Sequence, residues 1–260
     1  MTTPAEDVAA HSVPPALYDR IGAGYTAWRR PDPRIAARIA EALGDARTLV
    51  NVGAGAGSYE PADRVVAAVE PSARMVRQRP PRAAPAVRAS AEALPFRDRA
   101  FDAAMAILTL HHWPDWRAGV REMRRTARGP VAILTWDPAH PGFWLVQDYF
   151  PGILRIDRVI LPPLEEIARV LGPLDVRPVP IPADCSDGFL GAYWRRPEMY
   201  LDPGARSAIS TFTRLAEVEP GLARLRAELA DGSWERRNAA LLDLPELDIG
   251  YRLLVAAPRE

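Results

Sequence analysis

A short apolar run that leads directly into a glycine cluster is the feature of this sequence that most limits its fold. Residues 47–52 (RTLVNV) are followed by Gly53, Gly55 and Gly57 in the text NVGAGAGSYE. Such runs are typical of buried parallel strands, and glycine allows both a tight turn and close approach of the backbone to a ligand. The spacing is G-x-G-x-G, and Ser58 stands where a dinucleotide fold would place its third glycine. The cluster predicts a strand-to-helix turn beside a ligand, and a purely structural turn is the alternative.

Further apolar runs continue the pattern and alternate with helical text. They are residues 64–70, 85–88, 101–108 and 130–136. Strands that alternate with helices at this spacing form βαβ units and a mainly parallel sheet. Two more strands are expected at residues 174–181 and 247–257. The predicted fold is therefore α/β, a doubly wound, mainly parallel, seven-stranded sheet of the Rossmann-like kind with a helical cap.

Three parts of the chain are expected around this sheet. Residues 1–45 form a leader and cap helices, residues 46–137 the α/β core that would bind a cofactor, and residues 138–260 the insertions with the last strands. The insertions, at about residues 138–160 and 184–242, are helical and aromatic-rich, and together we call them the cap. Folds of this kind place such insertions beside the crevice that binds ligands, so the cap is predicted to act as a lid.

Composition excludes several classes of function. All 33 basic residues are arginine, so the chain has neither a lysine nucleophile for imine chemistry nor a P-loop lysine. The 33 acidic residues balance them, and we therefore expect neither nucleic acid nor a membrane as a partner. One cysteine, Cys185, and four histidines leave little material for a metal site. Since neither a signal peptide nor an apolar span of about 20 residues is visible, a cytoplasmic protein is predicted, of undetermined oligomeric state.

An acidic residue follows the second predicted strand. Glu70 ends this run in the text AAVEPS, seventeen residues after Gly53. A carboxylate at this point can accept hydrogen bonds from both hydroxyls of a ribose. An exposed acid that contacts the N-terminus of the following helix is the alternative.

Five ordered motifs within residues 16–137 resemble one family. They are a strand, its G-x-G-x-G loop, a second strand ending in Glu-Pro-Ser before Met75, the segment ASAEALPFRDRAFDAA, and the segment LTLHHWPDWRAGVREMRRTARGPVAIL. Together they resemble the class I S-adenosylmethionine-dependent methyltransferases of the small-molecule branch, which includes the quinone-biosynthesis methyltransferases. The resemblance implies methyl transfer from S-adenosylmethionine to a small acceptor.

The resemblance also implies a cofactor site. The glycines would lie along the methionine part of the cofactor, Glu70 would hold its ribose, and Met75 would pack on its adenine. Ser90 and Ala91 fall at the adenine edge, and Leu108 falls beside the methionine amino group. The full set of implied cofactor residues is Tyr18, Tyr25, Arg30, Asn51, Gly53, Gly55, Gly57, Glu70, Pro71, Met75, Ser90, Ala91 and Leu108.

Two positions depart from the family. Asn51 stands where an acidic residue is usual, and Ser90 replaces a common Asp or Asn. Loss of the charge at position 51 would weaken cofactor binding by about 1 kcal/mol, on the scale of hydrogen bonds to charged groups. A protein that binds adenosylmethionine or adenosylhomocysteine without transferring methyl is therefore an alternative, and an NAD-dependent oxidoreductase is a second one, which the glycine spacing disfavours.

Two histidines follow the fourth predicted strand, where an open α/β sheet has its ligand crevice. Because histidine titrates near neutral pH, His111 and His112 are candidate general bases for a hydroxyl or amine acceptor. A packing element in the HHW run is the alternative. Asp137 and His140, after the fifth strand, are a second candidate pair, although Asp137 is equally suited to capping a turn.

Aromatic residues of the cap are candidates for contact with the acceptor. The residues in question are Trp144, Tyr149, Tyr193 and Trp194. Large aromatic side chains suit a flat or lipophilic acceptor. An ordinary core for a helical cap is the alternative.

Overall fold

The computed structural model describes residues 25–258 of the 260-residue chain. Its strands are β1 (Thr48–Val52), β2 (Val65–Val69), β3 (Ala86–Val87), β4 (Ala103–Ile107), β5 (Val131–Trp136), β6 (Leu174–Pro178), β7 (Ile181–Pro182), β8 (Glu246–Leu247) and β9 (Tyr251–Ala256). Its α-helices are α1 (Tyr25–Trp28), α2 (Pro33–Leu43), α3 (Ala73–Arg77), α4 (Trp116–Thr126), α5 (Pro151–Ile160), α6 (Leu164–Leu171), α7 (Pro203–Ser207), α8 (Glu219–Ala230), α9 (Ser233–Arg237) and α10 (Ala239–Leu242). A π-helical turn lies at Leu145–Tyr149, and 3₁₀ turns lie at Leu110–His112, Leu190–Tyr193, Pro197–Leu201 and Ser210–Arg214. Within this part of the chain, no helix is both long enough and apolar enough to span a membrane.

Seven strands form one sheet in the order β3-β2-β1-β4-β5-β9-β6. β1 to β5 run parallel to one another, whereas β9 runs antiparallel to both of its neighbours, β5 and β6. The predicted doubly wound, mainly parallel sheet of seven strands is confirmed. Because β1 lies between β2 and β4, the direction of winding reverses at β1, and a crevice opens beyond the carboxyl ends of these strands.

The last strands are shorter than the sequence indicated. The run at residues 174–181 divides into β6 and β7, and the run at residues 247–257 divides into β8 and β9. β7 and β8 pair with each other in a separate two-stranded sheet. Pro178 and Pro180 explain the first division, because proline has no N–H for a continuous ladder. Gly250, with φ +101°, turns the chain at the second.

Helices cover both faces of the sheet. On one face α2 buries Ile35 and Ile39 in a cluster with Leu49 of β1. On the other face α4 buries Val120 and Met123 in a second cluster. Successive residues of a strand point to opposite faces, and the central strands β1, β4 and β5 are buried along almost their whole length. Ligands can therefore reach these strands only at their ends.

The cap folds around an aromatic core of its own. Trp194, Tyr200 and Trp234 are fully or almost fully buried. The ring of Trp144 meets Tyr200 and Trp234 edge to face, with centroids 5.7 and 5.1 Å away. These side chains belong to the same buried cluster as Ile35 of α2, so the cap is a packed layer continuous with one core of the sheet.

Candidate functional site

Loops from three neighbouring strands enclose a cavity at the carboxyl edge of the sheet. Its volume is about 1250 Å³ including its open mouth. We call it the large cavity. Its walls come from parts of residues 51–59 at the end of β1, parts of residues 70–75 after β2, residues 90–92 and parts of residues 107–114 at the end of β4, together with Arg29. This is the topological switch point at which open α/β sheets bind their ligands.

Two of the predicted glycines shape this cavity. Gly53 has φ +70°, and a side chain there would overlap the Thr109 side chain. Gly55 has φ +51°, lines the cavity, and donates its N–H to Glu70 Oε2 at 2.9 Å. Both positions favour glycine because of their positive φ, and Gly53 also needs it for space. Gly57, with φ +94°, instead faces Ala83 and lies behind the wall.

Glu70 is fixed on the cavity wall by backbone donors. It is 6% exposed, and its oxygens accept from the N–H groups of Gly55 and Ser72, each at 2.9 Å. Burial raises the pKa of Glu70, while these two hydrogen bonds and the charge of Arg79 oppose that rise. Each carboxylate oxygen keeps a second lone pair, so the side chain can still accept from a ligand. Ser72 is the N-cap of α3, so Glu70 also contacts the N-terminus of this helix, as the alternative interpretation expected. The carboxylate is, however, buried and not exposed.

Asn51 contacts a buried ion pair behind the wall. Its Nδ2 donates to Glu60 Oε1 at 3.1 Å, and Glu60 pairs with Arg79 at 2.7 Å. Asn51, Glu60 and Arg79 are all buried. The acidic charge that the family carries at position 51 is therefore present one hydrogen bond further away, where Arg79 balances it. Glu60 could not be identified from the sequence, because a single acid nine residues from Asn51 belongs to no motif.

Most of the other residues predicted around the cofactor also line the large cavity. They are Pro71, Met75, Ser90, Ala91 and Leu108. Leu108 has φ +53°, a region that residues with a side chain rarely adopt. Its N–H is held by Leu134 O at 2.8 Å. The strained residue thus stands where β4 gives way to the next turn.

The N-terminal residues are placed differently. Arg30 is exposed and lies off both cavity walls, whereas Arg29 lines them and pairs with Asp187 at 2.6 Å. Successive side chains of an extended segment point to opposite sides, so Arg29 lines the cavities and the predicted Arg30 does not. Tyr25 is the first residue of α1, and Tyr18 lies outside the described residues.

Tyr59 also lines the large cavity, although nothing in the sequence indicated it. Its hydroxyl donates to Asp187 Oδ2 at 2.9 Å, and Asp187 is fully buried. Because Asp187 also binds Arg29, one carboxylate of the cap holds both the glycine loop and the residue after α1.

A second cavity lies beside the first and beneath the cap. It measures about 720 Å³ including its mouth, and we call it the small cavity. Its walls comprise Asp157, Leu161, Tyr251 and parts of residues 108–112, 135–136, 189–190 and 208–211, with Arg29. Arg29, Leu108 and His112 line both cavities. The two cavities therefore adjoin at the end of β4.

His111 and His112 lie at this junction as uncharged imidazoles. Burial lowers the pKa of His111 to about 3, with smaller effects from Arg214 and Arg29. Burial, the neighbouring His111 and the same arginines hold the pKa of His112 well below its usual value. A group with so acidic a conjugate acid is a weak proton acceptor at neutral pH. The environment favours hydrogen bonding by these rings over the general-base role predicted for them.

The six residues predicted to contact the acceptor line neither cavity. They are Asp137, His140, Trp144, Tyr149, Tyr193 and Trp194. Asp137 accepts from Ala139 N at 2.9 Å, and His140 Nδ1 accepts from Gly142 N at 3.0 Å, so this pair builds a turn.

The four aromatic residues belong to the core of the cap. Trp144 Nε1 donates to Trp194 O, and Trp194 Nε1 donates to Ile181 O, each at 2.8 Å. Tyr149 donates to Glu228, and the ring of Tyr193 meets Tyr200 edge to face. A buried indole or phenol with a satisfied polar atom is stable packing, which explains why the core alternative applies. Aromatic walls of the small cavity come instead from Trp136, Phe189 and Tyr251.

The walls of the large cavity fit adenosylmethionine. Glu70 presents to the cavity a buried carboxylate, the kind of acceptor that the two hydroxyls of a ribose require, and the glycine loop leaves the backbone uncovered. Met75 and Leu108 supply apolar surface.

A family model and a solved structure of similar sequence are both described as methyltransferases. The family model Methyltransf_11, a methyltransferase domain, matches residues 50–130. A structure of a candidate methyltransferase from an antibiotic biosynthesis pathway of Anabaena variabilis is 34% identical, covers 88% of this chain and 98% of its own, and has a TM-score of 0.81. No curated protein matches the sequence significantly.

More distant structures share the fold. A SAM-dependent methyltransferase of Thermotoga maritima is 16% identical, over 94% of this chain and 99% of its own, with a TM-score of 0.53. Geranyl diphosphate C-methyltransferase of Streptomyces coelicolor, solved with S-adenosyl-L-homocysteine, is 15% identical over 87% of this chain and 77% of its own, with a TM-score of 0.52. At such identities the likeness concerns the fold alone.

Similarity over nearly the whole chain, the family match and the geometry of the large cavity agree. These findings identify a methyltransferase and not the NAD-dependent oxidoreductase that was the alternative. The chain belongs to the S-adenosylmethionine-dependent methyltransferases, and S-adenosylmethionine is its cofactor.

Proposed function

We propose that this methyltransferase acts on a small, flat or lipophilic molecule held in the small cavity. The shared wall carries the proposal, because Arg29, Leu108 and His112 line both cavities. In-line displacement requires that the nucleophile and the methyl carbon be in contact and aligned. Donor and acceptor must therefore occupy spaces that touch, as these two do.

In this proposal the large cavity holds the cofactor. Glu70 accepts from the ribose hydroxyls, the glycine loop lies along the methionine part, and Met75 packs on the adenine with Ser90 and Ala91 at its edge. The cofactor supplies a methyl group that its positive sulfur already activates. What this chain must add is alignment, exclusion of water and a destination for any proton that the acceptor loses.

The walls of the small cavity suit an aromatic or lipophilic acceptor. Trp136, Phe189 and Tyr251 offer flat apolar surface, and Thr135 and Asp157 offer polar atoms. Pockets that combine apolar walls with a few placed polar groups bind small molecules in a defined orientation. The similarity to a protein from an antibiotic biosynthesis pathway supports a small-molecule acceptor of biosynthetic origin.

The cap supports water exclusion at the site. Residues 208–211, Phe189 and Leu161 cover the small cavity from the cap side. Enclosure strengthens the electrostatic interactions within a site and limits hydrolysis. The proposed lid function therefore belongs to these wall residues and not to Trp144.

Transfer of labelled methyl groups tests the proposal. Adenosylmethionine labelled on its methyl group is incubated with the enzyme and, separately, with the small-molecule, protein and nucleic-acid fractions of a cell extract. Label should enter only solvent-extractable small molecules, with the Gly55→Val variant as the background. Label in protein or nucleic acid, or none anywhere while calorimetry shows cofactor binding, would contradict the proposed acceptor.

A further inference from the structure

One carboxylate on the wall of the small cavity has no hydrogen-bond donor among the residues that the structure describes. This is Asp157 of α5, which is 6% exposed. The fully buried Asp32 and Asp187 are, by contrast, paired with Arg34 and Arg29. Burial of an unpaired carboxylate is unfavourable for stability. A ligand group that enters the cavity would supply the missing donor.

The surroundings of Asp157 allow its carboxyl group to gain and lose a proton near neutral pH. Burial raises the pKa of Asp157 to about 7, and the charge of Arg214, on the 3₁₀ turn packed against α5, opposes that rise. Across the cavity stand the uncharged His111 and Tyr251, and burial raises the pKa of this tyrosine as well. Arg29 is the cation on the cavity wall.

Several other ionisable groups near α5 have partners of their own. On the π-helical turn packed against α5, Asp148 pairs with Arg237 at 3.8 Å, and Tyr149 bonds to the same arginine at 2.6 Å. On α5 itself, Arg158 donates to Pro138 O at 3.4 Å. Arg214 is therefore the charge that bears most directly on Asp157.

We propose that Asp157 accepts the proton of the acceptor, and that the acceptor is an aromatic molecule with a hydroxyl group as its nucleophile. The inference rests on the proposed function, since the small cavity must be the acceptor site. The hydroxyl supplies the donor that the carboxylate lacks, and the ring lies among Trp136, Phe189 and Tyr251.

The proposed step balances in atoms and charge. The O–H bond of the acceptor breaks, and its proton passes to an oxygen of Asp157. The acceptor oxygen forms a bond to the methyl carbon, while the C–S bond breaks and its electron pair returns to sulfur. The products are a methyl ether, adenosylhomocysteine and a protonated Asp157, which releases its proton to water. A base whose conjugate acid has a pKa near the working pH is readily deprotonated again after each cycle.

Binding of a matched pair of probes tests the inference without turnover. The enzyme is saturated with adenosylhomocysteine and titrated at pH 8 with 2-naphthol or its methyl ether, 2-methoxynaphthalene. The wild type should bind the naphthol about tenfold more tightly or better, the scale of a hydrogen bond to a charged group. Asp157→Asn and Asp157→Leu should reduce this preference to about twofold or less. In the wild type the preference should also fall as the pH is lowered through about 7, where the carboxylate of Asp157 becomes protonated.

Asp175→Asn is the matched control, since this exposed aspartate lies on β6, away from both cavities. It should keep the wild-type preference. Binding of neither probe, equal binding of both, or a preference that survives Asp157→Asn would overturn the inference. Both Asp157 variants should bind adenosylhomocysteine like the wild type, which shows that they are folded. Failure of the proposed function would instead appear as label in macromolecules.

Discussion

The two adjoining cavities are built in different ways. The large cavity is formed mainly by short stretches at the ends of β1, β2 and β4, whereas the small cavity is assembled from short segments spread along the chain from Arg29 to Tyr251. The first arrangement follows from the fold, because parallel strands bring their carboxyl ends to one edge. The second depends on how the cap packs. The cofactor cavity is thus encoded largely in local sequence, whereas the acceptor site that we propose depends on tertiary structure.

The largest expected effect is a loss of cofactor binding on substitution in the glycine loop, which belongs to the large cavity alone. Gly55→Val should weaken adenosylmethionine binding at least about 100-fold while the protein stays folded, since the side chain would enter the large cavity toward Met75. Calorimetry measures the loss. Gly172→Val is the control, because Gly172 also has positive φ but opens on free space. Normal cofactor binding by Gly55→Val would make the loop a structural turn only.

Trp144→Ala should act on the cap and leave the cofactor site intact. Deleting this 4% exposed indole should cost about 3–5 kcal/mol in unfolding free energy, measured by urea denaturation. Affinity for adenosylmethionine in the folded protein should stay within about twofold. Trp116→Ala, at a partly exposed tryptophan of α4, should cost less. A loss of turnover without a loss of stability would instead indicate that Trp144 contacts the acceptor.

Glu70→Ala should weaken adenosylmethionine and adenosylhomocysteine equally, because both carry the ribose. Loss of a charged acceptor for two hydroxyls corresponds to about 1.5–3 kcal/mol, or roughly 10- to 150-fold in affinity. Calorimetric titration with each ligand measures it, and Glu41→Ala, at an exposed acid, is the control. A change for one ligand alone would place Glu70 near the sulfur and not near the ribose.

The smallest expected effect concerns Asn51. Asn51→Asp would set two carboxylates side by side, because Asn51 contacts Glu60, and one of them would keep its proton. The single variant should therefore gain about twofold or less in cofactor affinity. Asn51→Asp with Glu60→Gln keeps the charge count and should gain about fivefold, near 1 kcal/mol. Equal affinities for the two variants would show that Glu60 does not influence the site.

The sheet and the large cavity could be predicted because their signals are local. Each core strand is a short apolar run, and Gly53, Gly55 and Glu70 stand at the strand ends where the fold exposes them. The small cavity gave no such signal. Asp157 lies in a helix of ordinary amphipathic pattern, and its lack of a partner exists only in the folded chain.

The aromatic residues of the cap show a second reason for the limit. Trp144 and Trp194 fill the core of the cap, while Trp136 and Phe189 line the small cavity. Both roles require large apolar surface, so composition alone cannot distinguish them. The surrounding packing decides between the two roles.

The shared wall also constrains how this enzyme could change its substrate over evolution. A substitution at Leu108 or His112 alters both cavities at once, so a gain for a new acceptor would come with a change in cofactor affinity. Leu161, Phe189 and Ile209 line the small cavity alone. With the acceptor in the small cavity, as we propose, related enzymes that act on other acceptors should diverge at these three positions while retaining the residues of the shared wall. Directed evolution of new substrate ranges should begin there.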